Sequence, residues 1–561
     1  MTEGAPLLEI DGLTFRYRRA SEPAIRDVSL RVEPGEILLV AGPSGCGKST
    51  LIRAMNGLIP HAYRGELSGS VTLNGRDTRE LKLRDIALVV GTVLQDPAKQ
   101  IVGATVESEL AFGPENLGLD RREIAERIGR VMERAELGVL RGRETAALSG
   151  GERQLLAVAG MLMMEPRLYV VDEPLANLDP ATASRLIRML RHLADDGHAV
   201  VIVEHRVEEA LELQPDRVLA MDAGRVAYLG PMGGFFDVAD PSAVKLPFDV
   251  VLARTRAGWT DGSPAPRARP RPEGDIGPAR LGYDDVHLEL GERPVLRGLS
   301  AELGAGEVVA VLGPNGSGKT TMFRAAMRLL EPERGAIAVD GRPVRERTVA
   351  ELSRTFGYVF QSPSQMLFAR TVRDELLFGP RNLGFDGDEE ALLADALRRT
   401  SLDGLEGILE RPPLTLSFGQ QKRLALAIAL ALRPPTLILD EPSAGQDHRT
   451  AEAFLAAVGA IPELESLYLV THDVDLALTH ADRILVLRDG RIVANGSPRA
   501  VIEDKFRWEA ANLRRTSLMA ANLAHGVAGD RFLDAATLAR QIVAGAPVGV
   551  TANALRARSE G

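Results

Sequence analysis

Short runs of β-branched and aliphatic residues, each ending in a polar or glycine-rich turn, alternate with longer stretches whose apolar positions recur at helical spacing. The runs "EILLVAG" (36–42) and "EVVAVLG" (307–313) read as buried strands that end in a glycine turn. "LYVVDE", "AVVIVEH", "TLILDE" and "LYLVTH" have the same form, and each carries polar residues at its C-terminal end. Strands of this kind separated by helices predict a mostly parallel α/β sheet, with its chemistry beyond the carboxyl ends of the strands.

The pattern occurs twice. "AIRDVSLRVEPGEILLVAGPSGCGKST" (Ala24–Thr50) parallels "VLRGLSAELGAGEVVAVLGPNGSGKTT" (Val295–Thr321). "LSGGERQLLAVAGML" is later matched by "LSFGQQKRLALAIAL", and "LYVVDEP" by "LILDEP". The interval from Ser149 to Glu173 equals that from Ser417 to Glu441. A repeat this long is a duplicated domain, not a short-period solenoid. Between the copies, the proline density of "GSPAPRARPRPEGDIGP" (Gly262–Pro278) predicts an extended linker. The expected layout is a first domain over 1–232, a small extension and linker over 233–278, a second domain over 279–500 and a helical extension over 501–561. "FLDAATLARQIV" in that last segment has helical period, and "GFFDVADPSAVKLPFDVVLART" after the first domain reads as its counterpart.

Composition narrows the classes. A chain of 561 residues is too long for one core. Its 26% charged and 45% hydrophobic residues are ordinary for a globular protein. A net charge of −10 argues against a nucleic-acid partner. No apolar run approaches the ~18 residues of a membrane-spanning helix, and the acidic start "MTEGAPLLEIDG" lacks the form of a signal peptide. A single cysteine, Cys46, leaves no internal disulfide and suits a reducing cytosol. Positive charge is almost entirely arginine, yet two of the few lysines, Lys48 and Lys319, fall in the pattern G-x-x-x-x-G-K-[ST].

That pattern carries the strongest chemistry. Gly42, Pro43, Ser44, Gly45, Cys46, Gly47, Lys48, Ser49 and Thr50 form one copy; Gly313, Pro314, Asn315, Gly316, Ser317, Gly318, Lys319, Thr320 and Thr321 form the other. Such loops turn backbone N–H groups toward phosphates at the start of a helix, where anions are favoured. Lys48 and Lys319 would reach the β- and γ-phosphates, and Ser49 and Thr320 would offer hydroxyls to Mg²⁺. Asp172 and Asp440 end apolar strands, where a carboxylate can hold Mg²⁺ through its water shell; Glu173 and Glu441 follow and can orient or deprotonate an attacking water. A lone Asp-Glu at a strand end is usually a solvated turn, but here it recurs in register with both loops. His61 has no partners at metal-ligand spacing, so no metal beyond Mg²⁺ is assigned.

"LSGGERQ" (Leu148–Gln154) resembles the signature motif of ATP-binding-cassette (ABC) ATPases, and "LSFGQQKR" (Leu416–Arg423) is a variant of it. Ser149, Gly150, Gly151 and Glu152, and in the second copy Ser417, Gly419 and Gln420, occupy that motif. Gln95 and Gln361 correspond to the Q-loop glutamine, which the resemblance also places near the metal. "LANLD" and "SAGQD" correspond to the D-loop and end at Asp179 and Asp447; His205 and His472 correspond to the switch histidine. Tyr17 stands where the family sets an aromatic ring against adenine, a place that Leu290 takes in the second half. The resemblance implies two tandem P-loop domains, each with a mostly parallel core sheet, an antiparallel β subdomain and an α-helical signature subdomain, using ATP and Mg²⁺. It implies two ATP sites built head to tail. Lys48, Gln95, Asp172, Glu173 and His205 would be completed by Ser417 and Gly419; Lys319, Gln361, Asp440, Glu441 and His472 by Ser149 and Gly151. Glu173, His205, Glu441 and His472 would be catalytic. Phe418 in place of a signature glycine is expected to crowd the first site, and Leu290 to hold the base less firmly in the second, giving two competent sites of unequal affinity.

The segments after the two glutamines are more specific. "QDPAKQIVGATVESELAFGPENLGL" (Gln95–Leu119) and "QSPSQMLFARTVRDELLFGPRNLGF" (Gln361–Phe385) share F-G-P-x-N-L-G. Both resemble the ATPase subunits of energy-coupling factor transporters, which import vitamins and transition-metal ions. This resemblance implies two membrane partners, a transmembrane coupling subunit and a substrate-capturing subunit, with the chain on the cytoplasmic face of a bacterial cell membrane. Ile101, Val102, Met366, Leu367 and Phe368 are expected to anchor a partner helix. Two alternatives stay open: the fused ATPase of a sugar-type importer, where one catalytic glutamate or histidine should be lost, and a soluble tandem cassette acting on ribosomes, where a long charged helical linker should replace the proline-rich one.

Overall fold

The computed structural model describes residues 6–175, 178–260, 278–291, 293–444, 446–504, 508, 513–525 and 532–545. The chain divides into two compact units, Met1–Val250 and Val251–Gly561.

The strands of the first unit are β1 (Leu8–Tyr17), β2 (Ile25–Val32), β3 (Ile37–Ala41), β4 (Gly65–Leu73), β5 (Arg76–Asp77), β6 (Val90–Val93), β7 (Leu168–Asp172), β8 (Ala199–Val203), β9 (Arg217–Asp222) and β10 (Arg225–Gly230). They form an antiparallel sheet in the order β2-β1-β4-β5 and a six-stranded sheet in the order β10-β9-β3-β8-β7-β6. In the larger sheet every pair is parallel except β9 with β10. β3, β7 and β8 are buried along their whole length, which is why their sequences show no alternation. β3 lies between β8 and β9, so its carboxyl end opens where the order of connection reverses; open α/β sheets bind ligands at such points.

The second unit repeats this plan with β11 (Ala279–Leu290), β12 (Arg293–Gly304), β13 (Val308–Leu312), β14 (Arg334–Val339), β15 (Arg342–Pro343), β16 (Phe356–Val359), β17 (Thr436–Asp440), β18 (Ser466–Val470), β19 (Arg483–Arg488) and β20 (Arg491–Gly496). The orders β12-β11-β14-β15 and β16-β17-β18-β13-β19-β20 correspond strand for strand to those of the first unit. The two-fold duplication and the α/β fold read from the sequence are therefore present as architecture.

Each unit adds a helical layer: Val106–Leu117, Arg121–Arg134 and Gly150–Leu162 in the first, Val372–Asn382, Glu389–Arg399 and Phe418–Ala431 in the second. The second layer has its own core, in which Leu376, Leu393 and Leu424 meet. Leu367 belongs to that core and is only 5% exposed, so it is a packing residue and not a surface anchor. One residue in an apolar run must turn inward to seat the loop, and the run alone does not reveal which.

Helices Pro498–Glu503, Ser517–Ala524 and Ala535–Val543 follow the second unit's sheet, the last where helical period predicts it. Trp508, Met519 and Phe532 join a core shared with Leu476 and Leu478, and Thr516 donates its hydroxyl to Asp475. In the first unit, the main-chain N–H of Lys245 bonds the His205 carbonyl at 3.0 Å. The extensions thus fasten to the segments that carry His205 and His472. The proline-rich linker lies outside the described residues, apart from Pro278.

Candidate active sites

Each phosphate loop runs from the end of a buried strand, β3 or β13, into a helix, Lys48–Met55 or Lys319–Ala326. Gly42 and Gly313 open the loops at φ 146° and 150°. A Cβ there would lie 2.3 Å from the Met221 carbonyl oxygen and 2.0 Å from that of Leu487, so only glycine fits. Ser44, Gly45 and Gly316 are exposed at the rim, whereas Cys46, Lys48, Ser317 and Lys319 are buried. Lys48 Nζ donates to the carbonyls of Gly42 and Pro43, both at 2.8 Å. Lys319 Nζ does the same to Gly313 at 2.7 Å and Pro314 at 3.0 Å. The loop carbonyls thus hold each ammonium within the curve of its own loop.

The hydroxyl that follows each lysine meets a strand-end carboxylate. Ser49 Oγ lies 3.4 Å from Asp172 Oδ2; Thr320 Oγ1 is 3.1 and 2.9 Å from the two oxygens of Asp440. Asp440 also accepts from Tyr358 Oη at 3.0 Å, a partner that no sequence motif announces. Burial, reinforced by the neighbouring glutamate, pushes Asp172 and Asp440 each up to about 6.

Glu173 and Glu441 sit one residue beyond, at φ 48° and 51°. The left-handed region costs a residue other than glycine on the order of 1 kcal/mol. The fold holds both there by the same bond: Glu173 N–H to the Val203 carbonyl at 3.0 Å, and Glu441 N–H to that of Val470 at 2.8 Å. His205 Nε2 is 2.8 Å from Glu173 Oε1, and His472 Nδ1 is 2.9 Å from Glu441 Oε2, so the two halves use opposite ring nitrogens. Gln95 Nε2 donates to Glu173 Oε2 at 2.7 Å; Gln95 and Gln361 are both exposed. Burial works to raise Glu173, but its bond to His205, the charges of His205 and Lys48 and the Gln95 bond outweigh it, leaving the carboxyl below its ordinary value. Glu441 is lowered likewise, with His472 and Lys319 overcoming burial.

Signature residues sit at helix starts. Ser149 caps Gly150–Leu162 in a reciprocal box: its hydroxyl accepts from Glu152 N–H at 3.3 Å and its own N–H bonds Glu152 Oε2 at 2.7 Å. Ser417 and Gln420 repeat the box at Phe418–Ala431, at 3.4 and 2.9 Å. Gly151 is buried, and Gly419 faces open space where a Cβ would stand. Phe418 is 42% exposed. Asp179 and Asp447 cap the helices Pro180–Asp195 and His448–Gly459; Ala176 and Asn177 of the first D-loop lie outside the described residues. Tyr17 is half-buried, edge-on to Phe15 and Tyr63, and its hydroxyl accepts from Arg53 at 2.7 Å. Leu290, its counterpart by sequence, is 47% exposed.

A glycine loop around a buried lysine, set at the switch point of such a sheet, defines a P-loop nucleoside triphosphatase. Comparison with known proteins narrows that class. The family model described as "ABC transporter" matches residues 25–176 and 296–444. A protein of Methanosarcina mazei is 34% identical over 548 residues, spanning 90% of this chain and 92% of its own. One of Vibrio vulnificus is 34% identical over 544 residues, 91% and 93% of the two chains. One of Streptococcus mutans is 32% identical over 533 residues, 91% and 95%. All three are provisionally described as ABC transporter ATP-binding proteins. Among solved structures, cbiO1 of Clostridium perfringens, part of the ABC transporter complex cbiONQ, is 32% identical and covers 42% of this chain and 95% of its own, with a TM-score of 0.36. The chain belongs to the ABC transporter family as a tandem ATP-binding subunit, which hydrolyses ATP to power transport and pairs with membrane subunits. No helix among the described residues is long and apolar enough to cross a membrane itself.

Proposed function

We propose that the chain is the fused ATPase pair of an energy-coupling-factor-type importer, working at the cytoplasmic face of the cell membrane to drive uptake of a vitamin or a transition-metal ion. The observation that carries this reading is what the F-G-P-x-N segments leave exposed. Within each motif most residues serve the helix. Asn116 and Asn382 donate to the carbonyls of Phe112 and Phe378 at 2.8 and 2.9 Å. Gly113 and Gly379 admit Met164 and Leu432, which a Cβ would meet at 2.5 and 3.1 Å. The phenylalanines do not pack inward: Phe112 is 50% and Phe378 52% exposed. Beside them the loop after each Q-loop glutamine is tied to a buried glutamate. Val102 and Gly103 donate to Glu109 at 2.8 and 2.6 Å, and Phe368 and Ala369 to Glu375 at 2.9 and 2.8 Å. That loop presents Val102 at 62% and Phe368 at 65% exposure, with Phe368 edge-on to Phe378 at 4.8 Å. An apolar surface next to the nucleotide-sensing glutamine suits the helix of a transmembrane coupling subunit, with a second membrane protein capturing the cargo.

The site residues support two-site hydrolysis. Lys48 and Lys319 bind the β- and γ-phosphates. Glu173 and Glu441, ionised, take a proton from the attacking water; His205 and His472 hold those carboxylates, and Gln95 joins the first. Mg²⁺ fits the donor set: Asp172 Oδ1 is buried without a hydrogen-bond partner, and each hydroxyl lies within reach of its aspartate. No cage of three or more His, Cys, Asp or Glu occurs among the described residues, which suits a cation that keeps water and phosphate oxygens as ligands. Ser49, Asp172 and Gln95 would hold it in the first site, and Thr320, Asp440 and Gln361 in the second; bound there, it offsets charge on the β- and γ-oxygens. Tyr17 lies against the base. In this reading Ser417, Gly419, Ser149 and Gly151 are the signature groups that take part in ATP binding, as the family resemblance implies.

The test is a pull-down of the tagged chain from native membranes in mild detergent, beside a Phe112→Asp/Phe378→Asp variant of equal melting temperature. The wild type is expected to recover a polytopic membrane protein and a small ligand-carrying one, and the variant neither. Ribosomal proteins without a membrane partner would overturn the importer reading.

A further inference from the structure

Lys422 lies one turn inside the helix Phe418–Ala431, and its side chain is 0% exposed. Its Nζ donates to two main-chain carbonyls, those of Glu441 and Ala444, each at 3.0 Å. These carbonyls belong to the turn that starts at the left-handed Glu441 and leads toward the helix cap Asp447. Burying an amine this deeply is costly unless its hydrogens are used, and here two are used on one turn. Burial draws the group down to about 7, against the charges of Glu441 and Asp440. The tether does not depend on that proton, because a neutral amine still has two N–H groups for two carbonyls.

Among the described residues the first unit shows no such arrangement. Gln154, at the same distance from its signature serine, is 2% exposed, and its Nε2 has no hydrogen-bond partner. Backbone strain at Glu173 is nearly the same as at Glu441, but among the described residues the first turn is held by Arg206, which donates to the Leu175 carbonyl, and the second by its own signature helix.

We propose that Lys422 is a positioning residue of the second ATP site, fixing the main chain of Glu441 and joining it to the helix whose N-terminus carries Ser417 and Gly419. The proposal rests on the reading of Glu441 as the base. It makes the second site's geometry answer to movement of that helix, and leaves the first site without an equivalent link.

Two measurements on the full chain test it. Amide exchange over residues 440–444 is expected to speed up at least fivefold in Lys422→Met, with residues 172–175 unchanged; equal exchange in variant and wild type overturns the tether. In steady-state hydrolysis by the Glu173→Gln chain, in which the first site is silenced, Lys422→Met is expected to lower kcat at least tenfold further with the KM for ATP within twofold. Lys422→Gln, which sets here the residue that makes no such bond in the first unit, should lower kcat as far as Lys422→Met does. A kcat within twofold of the Glu173→Gln chain, or a KM that rises in step with the loss, overturns the positioning role. If Lys422→Met does not fold, Gln154→Lys replaces it: slower exchange over 172–175 supports the tether, and unchanged exchange overturns it. Were Glu173→Gln and Glu441→Gln both to hydrolyse normally, the assignment of the bases would fail, while the exchange result would still decide the tether.

Discussion

Adjacent carboxylates in each half are pushed in opposite directions. Asp172 and Asp440 rise to about 6 because burial dominates, whereas Glu173 and Glu441 fall because a histidine and a lysine outweigh the same burial. On acidification the aspartates therefore take up protons first, near pH 6, while the glutamates stay ionised. A proton and Mg²⁺ compete for the aspartates, so the acid limb of hydrolysis is expected near pH 6 at low Mg²⁺ and should move to lower pH as Mg²⁺ is raised. A limb that ignores Mg²⁺, measured by phosphate release between pH 5 and 8, would assign the limb to another group. The loop residues, aspartates and glutamates were legible in the sequence as motifs repeated at strand ends, and the histidines through the family resemblance. Tyr358 and Lys422 were not, because their partners lie across the fold and no local pattern records them. Lys422 did leave one trace: it is one of the few lysines in a chain whose positive charge is mostly arginine.

At the scale of the element, the signature serines have two duties that sequence alone runs together. Each closes a capping box, and each is proposed to touch ATP. Ser417→Ala removes both and should cost about 1 kcal/mol of stability along with hydrolysis. Ser417→Asp keeps an oxygen cap, so its stability should match wild type while hydrolysis stays low. If Ser417→Asp hydrolyses as wild type does, the serine is a cap and nothing more; chemical denaturation and phosphate release on the same samples decide. The F-G-P-x-N motif divides in a similar way. Its glycine, proline and asparagine shape a helix against the signature helix, and its phenylalanine is left over for the surface. Sequence reading recognised the motif but misassigned Leu367, because burial in a short irregular loop follows no period.

Over the whole chain, strand order is copied but the sites are not. Tyr17 corresponds in sequence to Leu290, Gly150 to Phe418, and Gln154 to Lys422. Unequal duties follow: Glu173→Gln and Glu441→Gln should each depress hydrolysis, by on the order of 10²–10⁴ at the altered site, and leave different residual rates. Full activity in either variant would remove that glutamate from the mechanism. The left-handed glutamates bear on history as well as on rate. After a duplication, a half relieved of catalysis is free to drift, and glycine or asparagine would occupy that backbone at little or no cost. Neither half has taken that route. The costlier residue persists at both positions, with its histidine beside it, and that is the trace purifying selection would leave in a gene whose two copies have both stayed at work.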